Sequence, residues 1–168
     1  MKKILFVLVL VISVLFLLGC TAPNGGATQN PFQKVGGTVC KQDGKPVIRL
    51  YSTSFCPHCT WVGPTFESVV KKYVDENKII AHHWEWIYDN NTPMNQIGAD
   101  DLLTPQYEGT VPAEEEKVFT DFSPKGSIPT FVFGCKYYRI GNGFEAQKDL
   151  NAEEKSFIET IEAVLKEN

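Results

Sequence analysis

Basic residues never cluster in this chain: no three Lys or Arg are consecutive, and 16 of them face 20 acids for a formal charge of −4. That balance excludes the basic stripe that holds nucleic acid or an anionic surface, so no nucleic-acid partner is expected. Also missing are an internal repeat and a second pair of closely spaced cysteines. Long apolar stretches are scarce too. The one at hand, Ile4 to Leu18, is fifteen residues with Ser13 as its only polar interruption, shorter than the roughly 20 that span a bilayer as a helix.

What is present begins with that run. Lys2 and Lys3 precede it and "LLGC" ends it, the pattern of an export signal over residues 1–19. The ending resembles the lipobox of bacterial-type lipoproteins, which implies lipid on Cys20 and an extracytoplasmic chain anchored to the membrane; an uncleaved signal anchor is the alternative. Without Lys2 and Lys3 the charge becomes −6, 14 basic residues against 20 acids. Residues 20–37 are rich in Thr, Asn, Gln, Gly and Pro and read as a flexible tether. Residues 38–168 then form one domain with room for one core. With Cys20 set aside, Cys40, Cys56, Cys59 and Cys135 remain, an even number that in an exported domain favours disulfides.

Periodicity orders the domain. Lys45 to Thr53, "KPVIRLYST", is a β-type run expected at the centre of a sheet. From Pro57 the apolar residues Val62, Phe66, Val69, Val70 and Tyr73 recur at helical spacing to near Asn77, with Pro57 suited to the first turn and Pro64 expected to kink the helix. "KIIAHHWEWIYDNN" alternates as a second strand, with Trp84 and Trp86 read as core and pairing residues. Thr92 to Pro112 has no clear period. "AEEEKVFTDFS" is a short helix with acids in its first turn, and "SIPTFVFGCKYYRIGNG" is a hairpin turning near Gly134. Asn151 and Glu154 resemble a capping box for a closing helix.

The stretch "STSFCPHCTW", residues 52–61, carries the chemistry. A four-ligand zinc site needs a second tight pair, and the adjacent His82 and His83 point to opposite faces of a strand; no metal is expected. A c-type haem needs His after the second cysteine, where Thr60 stands. A reversible dithiol and disulfide is left, working without a cofactor. Cys56 at a helix start has its sulfur beside free backbone N–H groups, so it is the expected nucleophile, and Cys59, one turn in, the resolving thiol. Lowering a thiol pKa by about three units needs roughly 4 kcal/mol, of which a helix dipole supplies about 2. Hydrogen bonds of about 1.5–3 kcal/mol each must carry much of the rest, with His58 as the expected donor of charge or of a hydrogen bond.

This order of elements, with "CPHC" at the first strand-to-helix junction, Pro64 five positions after Cys59, "SIPT" around Pro129 and Gly141 further on, resembles the thioredoxin superfamily and its DsbA-type thiol oxidases. The resemblance spans about Lys45 to Leu165. It implies an α/β, thioredoxin-like fold: a four-stranded mixed sheet flanked by helices, with an insert ahead of the strand that a cis Pro129 opens. It implies that Cys56, Pro57, His58 and Cys59 exchange disulfides, and that Phe55, Ile128 and Pro129 contact the substrate chain. The expected partners are exported proteins with cysteines and a membrane redox partner. Disulfide reductase, isomerase, and a noncatalytic metal or protein chaperone are the other activities it allows. In such a fold Cys135 lies near the start of the central strand, within reach of Cys40, and a structural bridge between them is expected. One departure matters: the buried acid common six positions before the first cysteine is replaced by Leu50, leaving Glu85 or water to accept the proton of the resolving thiol.

Overall fold

The computed structural model describes residues 30–88 and 98–168. The signal segment 1–19, Cys20 and the first part of the tether lie outside the described residues, as do residues 89–97 of the insert. Among the described residues the chain is a mixed α/β structure, a largely open sheet flanked by three α-helices. No helix among them is long and apolar enough to cross a membrane.

The nine-residue strand Lys45–Thr53 (β3, after two short ones) is buried along nearly its whole length. Such a strand needs cover on both faces, and its alternation divides the core. Ile48 and Leu50 face the helices Pro57–Asp75 (α1) and Leu150–Lys166 (the last helix), meeting Phe66, Val69, Phe157 and Ile161. Tyr51 faces the other way, under helix Ala113–Phe122 (α2), where the Phe119 ring lies tilted with its centre 5.2 Å away. The final helix is α3. Strand Ile80–Ile87 (β4) pairs parallel with β3, and Thr130–Phe133 (β6) pairs antiparallel on its other side. Tyr137–Ile140 (β7) continues from β6 through a tight turn whose centre, Gly134 and Cys135, takes positive φ at both positions. A side chain on Gly134 would come 2.7 Å from Val164, so both its conformation and its surroundings demand glycine.

Two expectations need correction. The sheet has seven strands rather than four: Gln33–Lys34 (β1), Lys41–Gln42 (β2) and Gly98–Asp101 (β5) join the four with periodic patterns, in the order β1-β7-β6-β3-β4-β5 with β2 on β3. These three are two to four residues long and carry no large apolar side chain, too short for an alternation to register. Residues 30–37, counted with the tether, dock on the domain. Phe32 packs among Phe131, Phe133 and Phe157, and Asn30 donates to Thr160 at 2.9 Å.

Local details differ as well. The N-cap of α3 is Asp149, whose carboxylate accepts from Ala152 N–H at 2.9 Å; Asn151 already lies inside the helix. Of the acids at the start of α2, Glu115 turns inward and takes both Nε and Nη2 of Arg49, at 2.6 and 2.8 Å, plus the Tyr51 hydroxyl at 2.9 Å. Burial alone would push its carboxyl up; Arg49 and Tyr51 hold it below the usual range.

Cys40 and Cys135 are joined, with Cα atoms 5.4 Å apart and a sequence separation of 95. The bond lies at the start of β3, where Val47 N–H donates to Cys40 C=O and Gly134 N–H to Val47 C=O. Closing so long a loop restricts the unfolded chain. Replacing both cysteines by Ser is expected to lower stability by about 2–4 kcal/mol, read from urea unfolding. An unchanged midpoint would show that the bond constrains nothing.

Candidate active site

The stretch "STSFCPHCTW" sits where β3 ends. Ser54 N–H donates to Trp86 C=O at 3.1 Å and Cys56 N–H turns back to Thr53 C=O at 3.1 Å, so the chain leaves the sheet in one tight bend. Cys56 is the N-cap of α1 and Pro57 follows in its first turn, where a missing N–H costs nothing. The Cys59 N–H donates to Cys56 Sγ at 3.1 Å, and Cys56 C=O accepts from Thr60 N–H at 3.0 Å. Cys56 and Cys59 are paired as a disulfide, Cα atoms 5.1 Å apart, and are 8% and 4% exposed. No acid stands in the first turn of α1. The Cys56 sulfur thus occupies the positive end of a 19-residue helix with a backbone donor already aimed at it. The helix runs on past Pro64 to Asp75, shorter by two residues than the apolar spacing indicates.

His58 takes a partner of its own. Its ring is not hydrogen-bonded to the Cys56 sulfur; Nδ1 lies 2.8–2.9 Å from both carboxylate oxygens of Glu145, in a 3-10 turn at Glu145–Gln147. A charge-assisted bond to a carboxylate outcompetes one to a sulfur. Asn142 completes the cluster, donating to His58 C=O at 2.9 Å and to Glu145 at 2.8 Å. The Asn142 amide first, and His58 second, hold the Glu145 carboxyl below its usual range. Neither residue carried a sequence signal, because both sit in the irregular loop after β7, 84 and 87 positions from His58.

A protonated His58 would offset the charge of that carboxylate, which otherwise opposes a thiolate at the same helix end. Changing His58 to Ala is expected to shift the Cys56 thiol–thiolate equilibrium about tenfold toward the thiol. His58→Ala with Glu145→Gln should recover part of that loss. Thiolate absorbance against pH checks both; equal titrations in the single and double variants would remove Glu145 from the account.

The Ile128–Pro129 bond is cis, and β6 begins with the next residue. The pairing of Tyr51 with Thr130 sets Pro129 level with the last turn of chain before the cysteine pair, and its carbonyl accepts from Gly141 N–H at 2.8 Å. Cys56 and Pro129 thus share one end of the sheet, while Cys40 and Cys135 occupy the other. Phe55 is 51% exposed beside Cys56, its ring 5.7 Å from that of Tyr88, and makes an apolar shoulder there.

His82 and His83 lie on opposite faces of β4. His82 meets Asp101 at 2.6 Å; His83, buried under α1, meets Glu67 at 2.8 Å and Ser52 at 2.9 Å. Among the described residues no group of three or more His, Cys, Asp or Glu is placed to hold a metal ion. Leu50 is fully buried in the core, and Glu85 stands beside Ser52 in the β3–β4 register, its carboxyl pushed up by burial. Trp84, Phe131 and Phe133 are core residues. Compared with known proteins, the chain matches no family model, no curated protein and no solved structure.

Proposed function

We propose that this protein is a thiol:disulfide oxidoreductase with a thioredoxin-like fold, held outside the cytoplasmic membrane by lipid on Cys20, that oxidises cysteines of exported proteins. The observation that carries the reading is Cys56 as the N-cap of α1, with the Cys59 N–H directed at its sulfur and no acid in that first turn. A thiolate is favoured there, and whatever stabilises the reduced pair makes the disulfide a stronger oxidant.

The reaction balances without a cofactor. A substrate thiolate attacks Cys56 Sγ, the Cys56–Cys59 bond breaks, and its electron pair leaves on Cys59. A second substrate thiolate then attacks the substrate sulfur of the mixed disulfide and Cys56 departs as thiolate. The substrate has lost two electrons, the protein pair has gained two, and a membrane partner bearing a disulfide takes them away. The edge at Pro129 offers backbone for an extended substrate chain, and Phe55 an apolar contact beside the sulfur.

Equilibration of the Cys56 and Cys59 pair with glutathione tests the direction. A pair that stays reduced at glutathione ratios that oxidise an ordinary dithiol is expected. A pair as hard to reduce as a structural disulfide would make the protein a reductant or a noncatalytic module.

A further inference from the structure

Between α2 and β6 the main chain is held by hydroxyl groups rather than by a neighbouring strand. Pro124 has no N–H with which to extend α2, so the helix stops at Phe122 and Ser123 caps it, its N–H donating to Phe119 C=O at 2.7 Å. Ser123 C=O accepts from Gly126 N–H at 2.8 Å, closing a turn in which Gly126 takes a positive φ of 66°. Beyond the turn, Ser123 Oγ holds both sides of one residue: it accepts Ser127 N–H at 2.9 Å and donates to Ser127 C=O at 3.0 Å. Thr130 Oγ1 donates to the same carbonyl at 2.6 Å. Ser123 is 2% exposed and Thr130 fully buried, so both hydroxyls are turned to the protein and not to solvent.

The next residue, Ile128, is half-exposed, and neither its N–H nor its C=O has a protein partner among the described residues. A clasped Ser127 followed by an unpaired Ile128 is a fixed edge with one open position. The β3–β6 register pairs Tyr51 with Thr130; carried on by two residues it sets Ile128 level with Thr53, whose C=O accepts Cys56 N–H at 3.1 Å. The open position therefore lies at the sheet end that carries the disulfide.

We propose that Ser123, assisted by Thr130, is a positioning residue for the substrate: its hydroxyl fixes Ser127 and thereby the free backbone groups of Ile128, to which an extended substrate chain pairs. The inference rests on the oxidoreductase reading above. A chain laid along Ile128 meets main chain that is already ordered, so its binding energy is not lost in ordering that segment. Helix α2 belongs to the device. Its first turn is fixed to the sheet by the Glu115–Arg49 pair and its last turn carries Ser123, so the helix sets where Ser123 stands and Ser123 sets Ile128.

The test compares two electron donors to the oxidised full-length protein: an extended peptide with two cysteines, and dithiothreitol, which has no peptide backbone. Each gives two electrons to the Cys56–Cys59 pair and closes its own disulfide. Ser123→Ala is expected to raise the peptide concentration for half-maximal rate about tenfold, with the limiting rate and the rate with dithiothreitol as in the parent. Methylating the peptide's backbone nitrogens beside its cysteines should weaken its use by the parent by a similar factor, and Ser123→Ala should then weaken it no further, because both changes remove the same main-chain pairing. Thr130→Val, close to it in shape, is expected to act in the same direction and carries the test if Ser123→Ala does not fold. An unchanged half-maximal concentration overturns the proposal. So does equal slowing with dithiothreitol, which puts the effect on the sulfurs or on the fold, and so does a full further loss with the methylated peptide. A parent that oxidises neither dithiol sinks the oxidoreductase reading itself, and this inference with it.

Discussion

Changing Cys59 to Ala is expected to leave the protein covalently attached to its substrates. Cys56 remains the N-cap of α1 and, as a thiolate, would attack a substrate disulfide to form a mixed disulfide, the displaced substrate sulfur leaving as thiolate, while the thiol that would expel the substrate is gone. In the parent the resolving sulfur is three residues away, its Cα 5.1 Å from that of Cys56, so resolution is intramolecular. An external thiol at millimolar concentration has no such advantage, and the mixed disulfide should persist at least on the order of 10³-fold longer. Non-reducing electrophoresis of the exported fraction reads the outcome. Cys56→Ser should capture nothing. Equal capture by the two variants, or none by either, would mean that Cys56 is not the exchanging sulfur and that the fold serves recognition without chemistry.

The second large effect is expected far from the sulfurs in sequence. Arg139 Nη2 donates to Glu153 at 2.7 Å, and both side chains are almost wholly buried. The guanidinium carbon lies 4.6–5.2 Å from the rings of Phe32, Phe131 and Phe157, which cage it by cation–π contacts. Removing one partner leaves the other charged and dry. Glu153→Ala should cost about 3–5 kcal/mol, measured by denaturant unfolding, whereas replacing both residues by Met should recover much of that loss. A Glu153→Ala protein within about 1 kcal/mol of the parent would show that water reaches Arg139.

Glu153 also reaches the candidate active site. Its Oε1 accepts the backbone N–H of Gly143 at 2.6 Å and of Phe144 at 2.8 Å, pinning the loop that presents Asn142 and Glu145 to His58. The variant should therefore loosen the His58–Glu145 contact as well as the fold. The Cys56 titration would move toward that of His58→Ala, a change that lost stability alone does not produce.

The elements that could be read without coordinates were those long enough to repeat. The apolar residues of α1 recur every three or four positions, and the alternation of β4 separates Ala81 and His83 from Trp84 and Trp86. β1, β2 and β5 escaped because two to four residues without a large apolar side chain show no period. Phe32 escaped because one aromatic among Pro, Gln and Gly looks like part of a tether until the cage around Arg139 is assembled.

By itself, then, the sequence determined where the longer helices and strands form and that two thiols meet a helix start, since neighbouring residues and their spacing govern both. Tertiary structure alone decided that His58 serves Glu145, that Glu115 is buried with Arg49, and that Ser52, His83 and Glu67 make one chain. A polar side chain bonds to whatever the fold brings within about 3 Å, and that neighbour can come from anywhere along the chain.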